Sequence, residues 1–199
     1  MDVRLTTPID EEDVRSLKLG DIVYLDGVIY TSRDEAHMRA LEYHEEGEDL
    51  PVDLNGAAVF HCGPIVMEKN GGWELVAAGP TTSSRMNSLE PDYIKNFNAR
   101  AIIGKGGMSM PTINAMKEYG CVYLAMTGGA AILAAKGVTA VKGVHWLDIG
   151  MPEALWIFEA KDFGPLTVGI DAHGNSLYEK VNKSVEKNVV KIRSKLGLD

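Results

Sequence analysis

The sequence predicts a layered α/β domain built on a mixed sheet. Three observations carry this reading. The chain has 199 residues, of which 45% are hydrophobic and 24% charged, enough for one core without a disulfide or metal staple. Its first half reads as short apolar runs separated by Gly, Pro and Asx turns. From Pro91 onward, apolar strand runs alternate with helical patterns. No repeat, linker or low-complexity tract interrupts the chain, so residues 1–199 are expected to form one domain, closed by a helix over about 178–196.

The elements follow in order. Residues 21–25 form a short apolar strand, Asp26-Gly27 signals a hairpin turn, and residues 28–31 read as the returning strand. Ser32 stands at an N-cap position before a helix over about 33–45, and Gly47 ends it. Residues 57–62 form a strand stopped by Gly63-Pro64. Residues 65–67 and 73–78 flank the turn Asn70-Gly71-Gly72 as a second hairpin. A short helix covers 91–98, and a buried strand, 101–103, runs into the glycine-rich loop 104–107. Pro111 fits the first turn of the next helix and Gly120 its stop. Residues 121–126 read as strand, 130–136 as helix, and 156–159 and 167–171 as two further strands.

In the closing helix Val181, Val185, Val189, Ile192 and Leu196 are spaced four, four, three and four apart, which places them on one stripe. That stripe packs either on its own domain or on a partner chain.

Charge excludes some functions. A net charge of -8 and a pI near 5.1 argue against nucleic-acid binding, which needs clustered Lys and Arg. The N-terminal residues lack the apolar core of a signal peptide, and no stretch approaches the ~18 apolar residues of a membrane span. The expectation is a soluble cytoplasmic protein. Its two cysteines, Cys62 and Cys121, lack the paired spacing of a zinc site and are too few for an iron–sulfur cluster. No metal ligand set is expected in this chain.

Three strand-end segments could bind an anion. Gly79-Pro80-Thr81-Thr82-Ser83-Ser84-Arg85 offers hydroxyls, backbone N–H groups and a guanidinium suited to clamping a carboxylate; read plainly, it is a helix-capping turn. Gly104-Lys105-Gly106-Gly107 allows close backbone approach and adds a cation, and matches neither a Walker A loop nor a dinucleotide fingerprint. Arg33 and His37, four apart at a helix start, would share a face near its positive end. His61 beside Cys62 suggests a nucleophile pair only faintly. Together, Arg33, Arg85 and Lys105 are the equipment for a small dicarboxylate.

The same segments carry a family resemblance. Thr6-Thr7-Pro8-Ile9, Arg33-Asp34-Glu35-Ala36-His37, His61-Cys62-Gly63-Pro64, Gly79-Pro80-Thr81-Thr82, Arg85-Met86, Gly104-Lys105-Gly106-Gly107-Met108, Gly150-Met151-Pro152-Glu153-Ala154-Leu155-Trp156 and Asp171-Ala172-His173-Gly174-Asn175 occur in that order across nearly the whole chain. The sequence resembles the β subunits of class I fumarase and L-tartrate dehydratase. The resemblance implies a three-layer β/β/α swivelling domain, like the C-terminal domain of single-chain class I fumarases. It implies a heteromer of α2β2 type in which an α subunit holds a [4Fe-4S] cluster. It implies hydration and dehydration of a C4 dicarboxylate: fumarate and (S)-malate, or L-tartrate to oxaloacetate. A non-catalytic dicarboxylate-binding module is the alternative from another class. Residue by residue, the resemblance casts Thr81 as catalytic base, with His37 as a second catalytic candidate. Arg33, Arg85, Lys105, Gly104 and Gly106 are cast as substrate-binding. A threonine base needs nearby positive charge, because an aliphatic hydroxyl is a very weak acid.

Overall fold

In the computed structural model, which describes residues 1–69 and 71–198, strands and helices follow one another as β1 (Asp2–Thr6), α1 (Glu11–Ser16), β2 (Ile22–Thr31), α2 (Asp34–Glu46), β3 (Ala58–Phe60), β4 (Ile65–Lys69) and β5 (Gly72–Ala77). After a 3-10 helix, Ser83–Met86, come α3 (Glu90–Phe97), β6 (Ala101–Gly104), α4 (Met110–Tyr119), β7 (Val122–Ala125), α5 (Ala131–Lys136), β8 (Val138–His145), β9 (Leu155–Ile170) and α6 (Leu177–Lys195). Strands β4 and β5 form the expected antiparallel hairpin; Asn70 of its turn lies outside the described residues.

The other seven strands form one mixed sheet in the order β1-β2-β3-β6-β7-β9-β8, and β9 also pairs with β2. That last pairing curls the sheet into a barrel-like closure. Strands β3, β6 and β7 run parallel to β2, and β9 returns antiparallel to both β2 and β7. Alternation along the buried strands separates two cores. Ala58, Phe60, Ala101, Ile103, Val122 and Leu124 face inward, against Trp156, Phe158, Phe163 and Leu166 of β9. Val59, Ile102 and Tyr123 face outward, against Ala40 of α2, Tyr93 and Ile94 of α3, and Ile113 and Met116 of α4. The layers are therefore sheet, sheet and helix, the β/β/α arrangement that the resemblance implies.

Several elements differ from expectation. Asp26-Gly27 is no hairpin. Strand β2 runs through it unbroken, with Gly27 at φ 96° and the register against β9 shifting between Leu25 and Gly27. A side chain at Gly27 would strike Thr7 Oγ1, 2.6 Å from where its Cβ would sit. Asp26 itself accepts from Lys161 Nζ and from Asp162 N–H, at 2.7 Å each, and so pins β9 across the bulge. The two strands expected over 156–171 are one long strand. Asp162 adopts φ 50°, and the inward parity moves from Trp156, Phe158 and Ala160 to Phe163, which hides the continuity from a period-two reading. β1, α1 and β8 were not anticipated. α2 is capped at Arg33, not Ser32, whose hydroxyl turns inward to His37. Gly47 ends α2 in the left-handed conformation, and Gly120 does the same for α4.

Candidate functional site

The candidate residues sit where parallel strands end. The turn at Thr81 is laid against the ends of β3 and β6 by main-chain bonds. Thr81 N–H donates to His61 O at 2.6 Å, and Lys105 N–H donates to Thr81 O at 3.2 Å. Ser83 N–H donates to Lys105 O at 2.9 Å. The Thr81 and Lys105 loops are thus two rungs of one ladder.

Side-chain ion pairs bring in the other cations. Arg85 Nε lies 3.1 Å from Asp34 Oδ1. Arg33, beside Asp34 in sequence, places a guanidinium nitrogen 3.0 Å from Glu153 Oε1. Arg33 is 17% exposed and Arg85 is 53% exposed, so the first is largely enclosed and the second half open to solvent. Glu153 is held by the turn Gly150–Glu153, where Glu153 N–H donates to Gly150 O at 3.0 Å. Thr31 steadies that segment: its hydroxyl donates to Ala154 O and accepts from Trp156 N–H. Gly63 is glycine because Pro152 O and the Arg33 guanidinium occupy the space a Cβ would need.

Beneath the loops lies a fully buried polar cluster. Glu90 Oε2 is 2.9 Å from His61 Nε2 and 3.5 Å from His37 Nε2. His61 Nδ1 reaches Ser83 Oγ at 2.9 Å, and Ser83 Oγ reaches the Tyr123 hydroxyl at 3.0 Å. Burial alone would raise the Glu90 carboxyl; the two imidazoles outweigh it and hold the group at about 2. Burial pushes the His61 imidazole below its ordinary value, against the pull of Glu90.

This placement revises the expected face of Arg33 and His37. Arg33 precedes the helix in an extended conformation, so helical spacing does not apply to it. His37 points inward, 0% exposed, with Nδ1 2.9 Å from Arg33 O. It touches the site through the backbone only. Gly104 is buried as well: a Cβ there would collide with Ser83 Oγ, so its lack of a side chain serves packing. Gly106, at φ 86°, meets only Thr82 Cγ2 at 3.5 Å and stays on the open side of the loop. Gly107 makes room for the Tyr178 ring.

The thiols do not fit a cluster. Cys62 lies in the inner core and Cys121 in the outer one, on opposite faces of the sheet. Burial, opposed by Arg33, pushes the Cys62 thiol up to about 12, and burial raises Cys121 well above its ordinary value. Two separated, protonated thiols cannot supply the three or four thiolates a cluster takes. The same facts dispose of a His61–Cys62 nucleophile pair. Among the described residues, the grouping with the donor types of a cation site is His37, His61 and Glu90.

Sequence comparison meets this geometry directly. A family model described as Fumarase C-terminus matches residues 1–181. The chain belongs to the fumarase C-terminus family. Within it, the chain is 49% identical over 191 residues to a putative L(+)-tartrate dehydratase subunit beta of Methanocaldococcus jannaschii, covering 96% of each. It is 43% identical to the L(+)-tartrate dehydratase subunit beta of Escherichia coli K12, over 90% of this chain and 88% of that one. It is 48% identical to a putative class I fumarate hydratase of Geobacillus stearothermophilus, of which it spans 34%. These relatives are named as hydratase and dehydratase subunits, so the family is one of hydro-lyases. No helix of the described chain is long and apolar enough to cross a membrane.

Residues that the sequence reading left without a role are Asp34, Glu153, Glu90 and Tyr123. Ser83, expected among the anion-binding hydroxyls, is instead buried against His61 and Tyr123. Glu153 stood inside a recognised family motif. Glu90 stands just before the helix expected over 91–98; α3 begins at Glu90 itself and buries it.

Proposed function

We propose that this chain is the β subunit of a heteromeric hydro-lyase that interconverts (S)-malate and fumarate, with a [4Fe-4S] cluster carried by an α subunit. The observation that carries the reading is the single ladder joining Thr81 to Lys105, with Arg85, Asp34, Arg33 and Glu153 chained beside it.

Within that reading each residue has a part. Arg33 and Arg85 receive the substrate carboxylates, each with one edge of its guanidinium already oriented by an acid, Glu153 or Asp34, and donors left over. Thr81, as its alkoxide, accepts the proton as the C–H bond breaks; that bond's electron pair forms the C=C bond as the C–O bond of the neighbouring carbon breaks and hydroxide leaves, a departure for which the partner's cluster would supply a Lewis acid. Lys105, whose strand pairs with Thr82, and Gly106, through its free backbone, supply positive charge and close approach beside the threonine oxygen. His37 acts as a positioning residue, holding the Arg33 carbonyl, and not as an acid or base. The thiols of this chain cannot hold a cluster, which supports a partner as its carrier. A subunit beta name in two near-full-length relatives supports the same pairing. So does the apolar stripe of α6: Val181, Val185, Val189 and Ile192 are 60%, 51%, 47% and 53% exposed, and none of the described residues covers them.

L-tartrate is the second reading, favoured by those two relatives' names. Both substrates are C4 dicarboxylates differing by one hydroxyl, and a buried partner for that hydroxyl separates them. The test is to reconstitute the chain with its cluster-bearing partner and assay both. Turnover of either supports the hydro-lyase. A chain that binds malate as a lone, colourless oligomer, and stays inert with the partner, is a binding module instead.

A further inference from the structure

Glu90 is a carboxylate with 0% exposure that no step above uses, and it sits at the centre of the polar cluster under the loops. Neither of its oxygens has an in-line hydrogen-bond donor in the structure, nor do His37 Nε2 and His61 Nε2 have in-line partners. A buried ionised carboxylate needs a compensating charge. The groups that face the cluster are Ser32, Arg33 and Asp34 from the start of α2, Tyr93 from α3, Ser83 from the 3-10 helix, and Tyr123 and Cys121 from β7 and its approach. The Arg33 guanidinium places a nitrogen 3.0 Å from Glu153 Oε1, and among the described residues it forms no ion pair with Glu90.

The protons can be placed from the acceptors. His37 Nδ1 lies 2.7 Å from Ser32 Oγ, which can donate or accept, and 2.9 Å from the carbonyl oxygen of Arg33, which only accepts; hydrogen on Nδ1 suits both neighbours, whereas a lone pair there would face the carbonyl oxygen. Were His37 neutral, its Nε2 lone pair would face the Glu90 carboxylate at 3.5 Å in a site closed to water. A second proton turns this repulsion into attraction. The Tyr93 ring lies against the imidazole, centroids 4.1 Å apart at 32°, and offers its π face to a cation. His61 needs no charge: Nδ1 accepts from Ser83, which leaves hydrogen on Nε2, 2.9 Å from Glu90 Oε2 though not in line with it.

We propose that His37 is held as an imidazolium by Glu90, and that this buried ion pair, extended through neutral His61 to Ser83, fixes the Arg33 carbonyl and the Thr81 turn in register. The structural half stands on the buried geometry; its consequence for turnover rests on the hydro-lyase reading. His37, His61 and Glu90 are then positioning residues. The network reaches two of the loops by one bond each, His37 to Arg33 O and His61 O to Thr81 N–H, and the third by two, from Ser83 to the Tyr123 hydroxyl, which accepts from Gly107 N–H.

The test uses the full chain, dialysed against a chelator, with 15N-labelled histidine. At pH 7.5 one imidazole, assigned by its loss in His37→Asn, shows both nitrogens protonated, and it becomes neutral in Glu90→Gln. In the complex, Glu90→Gln lowers kcat about tenfold to a hundredfold while KM changes far less. Neutral imidazoles throughout the wild-type chain overturn the proposal. So does one divalent cation per chain that survives dialysis and is lost in Glu90→Gln, because that cation would then supply the charge. Should Glu90→Gln fail to fold, the wild-type spectrum still decides. A complex that turns over neither malate nor tartrate, in a chain that does show the imidazolium, removes the hydro-lyase reading and leaves the ion pair standing.

Discussion

The backbone N–H of Thr81 lies 2.6 Å from the carbonyl oxygen of His61. The candidate base is thereby positioned by its main chain, while its hydroxyl takes no part in holding the turn. Thr81→Ala should therefore leave the fold in place and remove only chemistry. The expected result is a fall in kcat of about a hundredfold or more, with KM within a few-fold and an unchanged melting temperature. Near-normal kcat in the reconstituted complex would remove Thr81 from the role.

The two arginines should separate in their effects. Arg85 is half exposed and paired with Asp34 at the surface, so Arg85→Ala should change stability by less than about 1 kcal/mol while raising KM markedly. Arg33 is largely buried against Glu153, and removing it strands an acid in a crowded place. Arg33→Ala should lower both the melting temperature and substrate affinity. Glu153→Gln, which loosens the guanidinium without removing it, should weaken binding less than Arg33→Ala does. Equal affinities for those two variants would contradict an orienting role for Glu153.

The glycine loop invites a paired measurement. Gly104→Ala drives a methyl group into Ser83 Oγ and should cost about 1–3 kcal/mol of stability. Gly106→Ala has room, its nearest neighbour being Thr82 Cγ2 at 3.5 Å, and meets only the cost of φ 86°, about 1 kcal/mol. Thermal unfolding of the two variants should rank Gly104→Ala as the worse, and binding should rank Gly106→Ala as the worse. A reversed order in binding would place Gly104, not Gly106, against the substrate.

Much of this arrangement was legible in the sequence, for reasons visible in particular residues. Pro111 and Gly120 bracket α4 because their backbone preferences are local, and residues 101–103 read as strand because they are buried on both faces. Arg33, Arg85 and Lys105 stood out as cations in segments that follow strand ends, and Thr81 was cast as a base by the resemblance. The pairings that gather them were not legible. Arg33–Glu153 and Arg85–Asp34 join residues far apart in sequence, and no local rule announces such contacts. Strand β9 was cut in two because Gly164-Pro165 reads as a break. His37 was misjudged because a histidine four residues after an arginine implies a shared face only when both lie inside the helix.

Acid should destabilise the chain chiefly through Glu90. Burial holds His61 neutral below its ordinary value, so an unfolded chain gains a proton there that the folded one refuses as pH drops below 6.5. Glu90 is held at about 2, below its ordinary 4.5, despite a burial penalty that its imidazole neighbours outweigh. Its contribution is present above pH 4.5 and is lost as pH falls from there towards 2. Urea midpoints should therefore decline as pH falls from 4.5 towards 3. Glu90→Gln should start lower and decline less steeply below pH 4.5. Parallel curves for the two proteins would show that Glu90 titrates alike in both states.

The stripe of α6 separates folding from assembly. Val185 and Val189 are half exposed and four apart, on a helix whose side chains are not buried in this chain. Replacing both with Glu should leave the melting temperature of the isolated chain within about 2 °C, because surface substitutions usually cost under ~0.5 kcal/mol. In the presence of the cluster-bearing partner the same change places two carboxylates in an apolar contact, where neither can be solvated or paired. Co-purification with the partner should then fall sharply, and turnover should fall in proportion to complex formed, with kcat per complex unchanged. The distinction is physical: in the proposed function Thr81 and Arg33 act on bound substrate, whereas the stripe would act only on how much of the two-chain site exists. A double variant that co-purifies as well as the wild type would mean that the partner's contact lies elsewhere on this chain.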